Sequence, residues 1–235
     1  GGSMNGIDYF SPADVASYPD EPQKLLLIRH AERCAFQPAG GNRDVPLTER
    51  GVQSAKAFGK ALRMAGYHID YAITSIRQRC FQTAENMAKG GQSTCVIDRS
   101  HDLHFCLRSE PYLAYIKMPY IASDGRCDLP QQVRSYLNTF IAYNPARCAL
   151  DGHIRRMLRN FPYAGHWQSI NLAVAHDTTL MAFYAFLFRE APDDFEINPY
   201  SFSPDYLCGI LLCKDGDTIR AYTRSRQVSV NLPTF

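Results

Sequence analysis

The feature that most constrains this fold is the run Leu25-Leu26-Leu27-Ile28, where apolar side chains follow one another without alternation. Successive side chains of a strand point to opposite faces, so such a strand needs apolar cover on both sides. Helices laid above and below a sheet supply that cover. The run Ile170–Ala175 (INLAVA) makes a similar demand. Both runs lead without a turn into ionisable residues: Arg29, His30, Glu32 and Arg33 after the first, His176 and Asp177 after the second.

Between these runs, helix and strand patterns alternate. A loop at 37–46 (QPAGGNRDVP) precedes Thr48, which is placed to cap a helix over 49–65 with Val52, Ala55, Phe58, Leu62 and Ala65 on one face and Gly66 at its end. Residues 69–74 read as a second strand, 77–89 as a helix burying Cys80, Phe81, Ala84, Met87 and Ala88, and 94–98 as a third strand. Residues 99–130 are irregular and aromatic, with amphipathic helices expected near 130–143 and 150–160. A strand at 170–175 leads into a helix over 178–188, with Leu180, Met181, Tyr184 and Phe188 inward. The chain closes with an antiparallel hairpin, 206–213 and 218–223, around Lys-Asp-Gly-Asp. The pattern predicts a three-layer α/β/α sandwich with a mostly parallel, mixed central sheet. It predicts one domain over 24–235, an inserted cap region at about 99–168, and a tag remnant and leader over 1–23.

Composition excludes several function classes. The 25 Lys and Arg balance 23 Asp and Glu to a net +2, and the densest basic cluster, Arg-Arg-Met-Leu-Arg at 155–159, reads as a solvated helix face rather than a nucleic-acid surface. No apolar run approaches the ~20 residues of a membrane span. Met4 is read as the natural start, and the segment after it lacks the pattern of a secretion signal, so a cytoplasmic protein is expected. The eight cysteines include no CxxC pair; free thiols and no structural metal are expected.

In a parallel sheet, strands deliver their ends to one edge, and ligands bind along it. Here that edge receives Arg29 and His30, then Arg77 and Arg79, then His176 and Asp177. Guanidinium groups match phosphate oxygens and stay charged, free N–H groups at helix starts favour anions, and a neutral histidine can accept a phosphoryl group on a ring nitrogen. Competing chemistries lack their motifs: no cysteine is followed six positions later by arginine, and GxxxxGK[ST], GxSxG and PCxxC are all absent. The His-Asp pair at 176–177 could suggest a metal-dependent phosphohydrolase, but it stands beside arginines at a strand end, so metal-free chemistry is preferred.

LLLIRHAER, LTERGVQSAKAFGKAL, ITSIRQRCFQTAENM and NLAVAHDTTL occur in an order and approximate spacing that resembles the histidine phosphatase superfamily, over about 24–90 and 168–225. That superfamily contains the phosphoglycerate-mutase-like enzymes and the histidine acid phosphatases. The resemblance implies a phosphatase acting on phosphate monoesters, with His30 as the phosphorylated nucleophile and Arg29, Arg79 and His176 holding phosphate. Arg33, in the RHxER form, resembles an extra phosphate contact of the eukaryotic branch that includes the T-cell-receptor-signalling suppressors and ecdysteroid-phosphate phosphatases. Ala31 replaces the usual glycine, and the stretch DRSHDLHFCLRSE has no clean counterpart of the mutase proton donor; Asp102, His104 and Glu110 are its candidates. The AHDTTL motif resembles the acid-phosphatase branch, which ranks Asp177 first as proton donor and Asp102 second. A helix start, however, favours the ionised carboxylate.

Ordinary structural readings compete at other positions. Arg33 could pair with Glu32 or Glu49, Arg77 and Arg43 could be solvated, and Glu85 could support its own helix. Tyr112, Tyr115 and Tyr120 could simply pack, and His101, His104, His153 and His166 read as structural or exposed. No cofactor is expected. The expected partner is a phosphorylated small molecule or phosphoprotein, with no nucleic acid and no membrane; a homodimer is left open. Phosphomutase activity and a non-catalytic phospholigand-binding domain are the alternatives.

Overall fold

The computed structural model describes residues 8–36, 43–104, 145–188 and 203–233. Seven strands form one sheet: β1 (Lys24–Arg29), β2 (Tyr71–Thr74), β3 (Val96–Arg99), β4 (Ile170–Ala175), β5 (Gly209–Asp215), β6 (Thr218–Tyr222) and β7 (Gln227–Asn231), in the order β3-β2-β4-β1-β5-β6-β7. The β3–β2, β2–β4 and β4–β1 ladders are parallel; β1–β5, β5–β6 and β6–β7 are antiparallel. The sheet is therefore mixed, with its parallel half on the side of the ionisable strand ends.

The apolar runs are continuous because both faces of their strands are covered. Leu25, Leu27, Ala173 and Ala175 pack in one core with side chains from α3 (Pro145–Asn160) and α4 (Asp177–Phe188), including Ile154, Leu158 and Phe183. Leu26, Ile28, Leu172 and Val174 face the other core, with Phe58 and Leu62 of α1 (Glu49–Met64) and Met87 of α2 (Gln78–Gly90). Thr48 caps α1 as expected, its hydroxyl accepting from the Gly51 N–H at 2.9 Å, and Gly66 ends the turn beyond it with φ +93°.

Several expectations need correction. Residues 8–18 do not form a free leader: Tyr9, Phe10, Val15 and Tyr18 are buried, Phe10 bridges Gly209, and Arg224 pairs with Asp8 at 3.2 Å and Asp14 at 3.1 Å. Sequence reading missed this because these apolar residues are interleaved with turn formers. Likewise, α3 is no cap element: Ile154, Met157 and Leu158, at helical spacing, bury it in the core beside α4. The closing hairpin is extended by β7, whose side chains are alternately exposed and half-buried, a short polar run that carries little strand signal. Strand β5 begins at Gly209 rather than 206, because Leu207 turns the chain through a left-handed φ of +64°.

Within the basic cluster at 155–159, Arg156 is exposed and Arg155 lies over Phe186 at 5.2 Å. Cys34, Cys80, Cys95, Cys208 and Cys213 are free thiols. Among the described residues no helix is long and apolar enough to cross a membrane. The helix expected near 130–143, and most of the loop at 37–46 and of the irregular stretch at 99–130, lie outside the described residues.

Candidate active site

The parallel register of β1 and β4 pairs Arg29 with Ala175, and the His30 N–H donates to the Ala175 carbonyl at 3.0 Å. His30 and His176 therefore leave neighbouring strands side by side, their ring centroids 5.6 Å apart. Both are buried. The Nδ1 of His30 lies 2.7 Å from the Ala31 carbonyl, which can only accept, so Nδ1 carries the proton and the neutral ring presents an unprotonated Nε2. Burial, reinforced by the Arg29 charge, pushes the His30 pKa well below its ordinary value.

His176 has the opposite tautomer. Arg79 Nη2, a donor only, lies 3.4 Å from His176 Nδ1, while His176 Nε2 is 2.8 Å from Ser75 Oγ; Nδ1 accepts and Nε2 donates. Ser75 is held at this edge by its N–H to the Val174 carbonyl at 2.9 Å.

Three arginines surround the pair. Arg29 donates through Nη1 to the Pro204 carbonyl at 2.9 Å, lies 3.8 Å from Asp177 Oδ2, and stacks 4.4 Å from the centre of the Tyr206 ring. Arg79 donates to the Arg43 carbonyl at 2.9 Å, and Arg33 to the Cys34 carbonyl at 3.0 Å. Burial lowers the pKa of both Arg33 and Arg79. The Nε atoms of Arg29 and Arg79 are buried donors with no hydrogen-bond partner among the described residues. A sheet edge so rich in donors and positive charge suits an oxyanion.

Of the residues singled out from sequence, the structure brings Arg29, His30, Arg33, Arg79, His176 and Asp177 to this edge. Asp177 starts α4, its Oδ1 accepting the Thr178 N–H at 2.7 Å. Asp102 is exposed on the turn His101–His104, which docks on α4 through the Thr179 hydroxyl to Leu103 carbonyl bond at 3.3 Å. Arg33 does not take up its suggested ion pairs: Glu32 accepts from the Thr48 hydroxyl at 2.8 Å and Glu49 from Gln53 at 3.0 Å. Arg77 stands at the N-cap of α2 without capping it. Instead Asp44 does so, accepting the Gln78 N–H at 2.8 Å. Glu85 pairs with Lys89 on its own helix at 3.6 Å. His101 is exposed, His153 meets Arg156 at 2.6 Å, and His166 meets Ser169 at 2.8 Å. Glu110, Tyr112, Tyr115, Tyr120 and the His104 side chain lie outside the described residues.

Sequence reading missed Ser75, Thr83, Phe36 and Tyr206. Ser75 was findable, since it follows the last residue of β2 at the same edge. Thr83 accepts the Ala31 N–H at 3.0 Å and donates to the Arg79 carbonyl at 2.7 Å, tying the His30 loop to α2. Tyr206 arrives because left-handed Leu207 folds back to donate to the Arg29 carbonyl at 3.1 Å, a contact with no local signature. No three His, Cys, Asp or Glu side chains among the described residues converge as metal ligands.

The family model of the histidine phosphatase superfamily (branch 1) matches residues 25–104. The 2,3-bisphosphoglycerate-dependent phosphoglycerate mutase of Histophilus somni is 48% identical over 62 residues, 26% of this chain and 27% of the mutase. That of Haemophilus influenzae is 42% identical over 82 residues, 34% of this chain and 32% of the mutase. The matched segments thus span about a quarter to a third of these curated relatives. A mycobacterial glucosyl-3-phosphoglycerate phosphatase solved with VO3 shares the fold at a TM-score of 0.51 and 15% identity, covering 87% of this chain and 98% of that one. A second structure, mycobacterial hydrolase 1, gives 0.50 and 15%, with 89% and 100% covered. The segment that carries His30 and Arg79 is thus the part of this chain that matches the histidine phosphatase superfamily, and the solved structures share the fold around it.

Proposed function

We propose that the protein is a metal-independent phosphomonoesterase working through a phosphohistidine on His30. The observation that carries this reading is the tether from His30 Nδ1 to the Ala31 carbonyl at 2.7 Å, which leaves Nε2 unprotonated beside Arg29, Arg79 and His176. Nε2 attacks phosphorus as the ester P–O bond breaks, with the arginines stabilising the equatorial oxygens and His176 orienting Arg79 through Nδ1. Asp177 protonates the leaving oxygen. Its carboxylate stands 3.8 Å from Arg29 at the start of α4, beside the phosphate that Arg29 would hold. Water then attacks phosphorus, the P–N bond breaks, and the water proton passes to Asp177. A phosphorylated small molecule or phosphoprotein would be the substrate, in the cytoplasm.

The test is hydrolysis of an aryl and an alkyl phosphate in excess chelator, with trapping of the phosphoenzyme. Wild type is expected to turn over both and to carry acid-labile, base-stable phosphate; His30→Ala is expected to do neither. In the same assay Asp177→Asn should lose about 10²-fold or more on the alkyl ester and less on the aryl one, whereas Asp102→Asn should leave the ratio unchanged. A His30→Ala enzyme as active as wild type overturns the reading. The mutase likeness of residues within 25–104 supports a second reading, phosphoryl return to substrate. Phosphoryl exchange between phosphoglycerates without phosphate release would favour it.

A further inference from the structure

Phe36 follows the catalytic loop, and its half-buried ring is faced by three guanidinium groups. Their Cζ atoms lie 3.6 Å (Arg33), 5.1 Å (Arg43) and 5.4 Å (Arg79) from the ring centre. Three cations around one ring repel each other, so something must hold them. Among the described residues no carboxylate forms an ion pair with any of the three; Arg33 donates to the Cys34 carbonyl, and Arg79 to the Arg43 carbonyl and to His176 Nδ1. Asp177 attracts Arg33 and Asp44 attracts Arg79 from beyond contact; the ring face is the group that all three share, and its quadrupole presents negative potential to a cation within about 6 Å. A carboxylate in the same place would gather the arginines too, but would cancel the charge that draws an anion. A neutral ring gathers them and leaves that charge intact.

We propose that Phe36 is a positioning residue whose ring preassembles Arg33, Arg43 and Arg79 into a cationic array ready for an oxyanion. Preassembly lowers the ordering cost of binding and keeps the donors aimed where charge develops in the transition state. That the oxyanion is a phosphoryl group rests on the function proposed above; that the ring holds the array does not.

The decisive test separates cation–π attraction from packing. Phe36 is replaced by 4-fluoro-, 3,5-difluoro- and 3,4,5-trifluorophenylalanine, which weaken the ring quadrupole in steps with little change of shape, and by Leu. Side-chain order of the three arginines is read from Nε–H relaxation by NMR in the unliganded protein, and affinity for inorganic phosphate by calorimetry. Arginine order is expected to fall step by step along the series, and the phosphate Kd to rise about tenfold by its end. Order that stays flat along the fluorinated series overturns the proposal, even if Phe36→Leu lowers it, since the ring then merely fills space. If order falls as expected but wild type binds no phosphate, the array stands and the phosphatase reading fails.

Discussion

His30 is buried, neutral and tethered, and each property has a separate cause: β1 carries it into the core, burial and Arg29 depress its pKa, and the Ala31 carbonyl selects its tautomer. The depressed pKa has a consequence for stability. In the unfolded chain a histidine takes a proton near pH 6.5, whereas folded His30 stays neutral, so below that pH the unfolded state binds more protons. Stability is then lost as pH falls from about 6.5 toward the folded-state value, at up to about 1.4 kcal/mol per pH unit from this group. Urea midpoints of wild type measured from pH 7 to 5 should therefore fall more steeply than those of His30→Gln, which has no such proton to gain. Equal slopes would show that His30 titrates normally in the fold. At this scale sequence reading was strong where a residue follows a strand directly, as for Arg29, His30 and His176. It was blind where a side chain arrives from a loop, as Tyr206 does.

Helices α1 and α2 form the layer that carries Thr48, Arg79 and Thr83, and they cross at a point where backbone nearly touches backbone. A Cβ on Gly59 would lie 1.8 Å from the Met87 carbonyl oxygen, and one on Gly90 1.9 Å from that of Lys56. Gly59→Ala must push the helices apart, and it is expected to lower stability by about 1–3 kcal/mol despite the better helix propensity of alanine. A denaturant midpoint unchanged or raised would show that the crossing can relax. The helix periodicity of 49–64 was legible from Val52, Ala55, Phe58 and Leu62. The need for glycine on the same helix was not, because it comes from the main chain of another element. Asp44 shows the same limit: it caps α2 from 34 residues away, while Arg77 holds the cap position without filling it.

In the whole molecule, the first described segment is bound to the last. Phe10 pairs with Gly209, and Asp8 and Asp14 meet Arg224, so these two segments join across β5 next to the loop that carries Tyr206. Phe10 packs with Tyr18 at 5.1 Å between ring centres inside the α1–α2 core. Phe10→Ala is expected to cost about 3–5 kcal/mol, seen as a lower urea midpoint; no change would mean that the segment merely lies on the surface. The sequence by itself determined the layered α/β form, because unbroken apolar runs must be covered on both faces. It also determined the chemistry of the strand ends, because residues adjacent in sequence to a buried strand have nowhere else to emerge. Only the tertiary structure decided which ring nitrogen of each histidine carries the proton, which aromatic faces gather the arginines, and that residues 8–18 pack on the core. Those outcomes depend on contacts between distant segments, and pairings of that kind leave no period in the sequence.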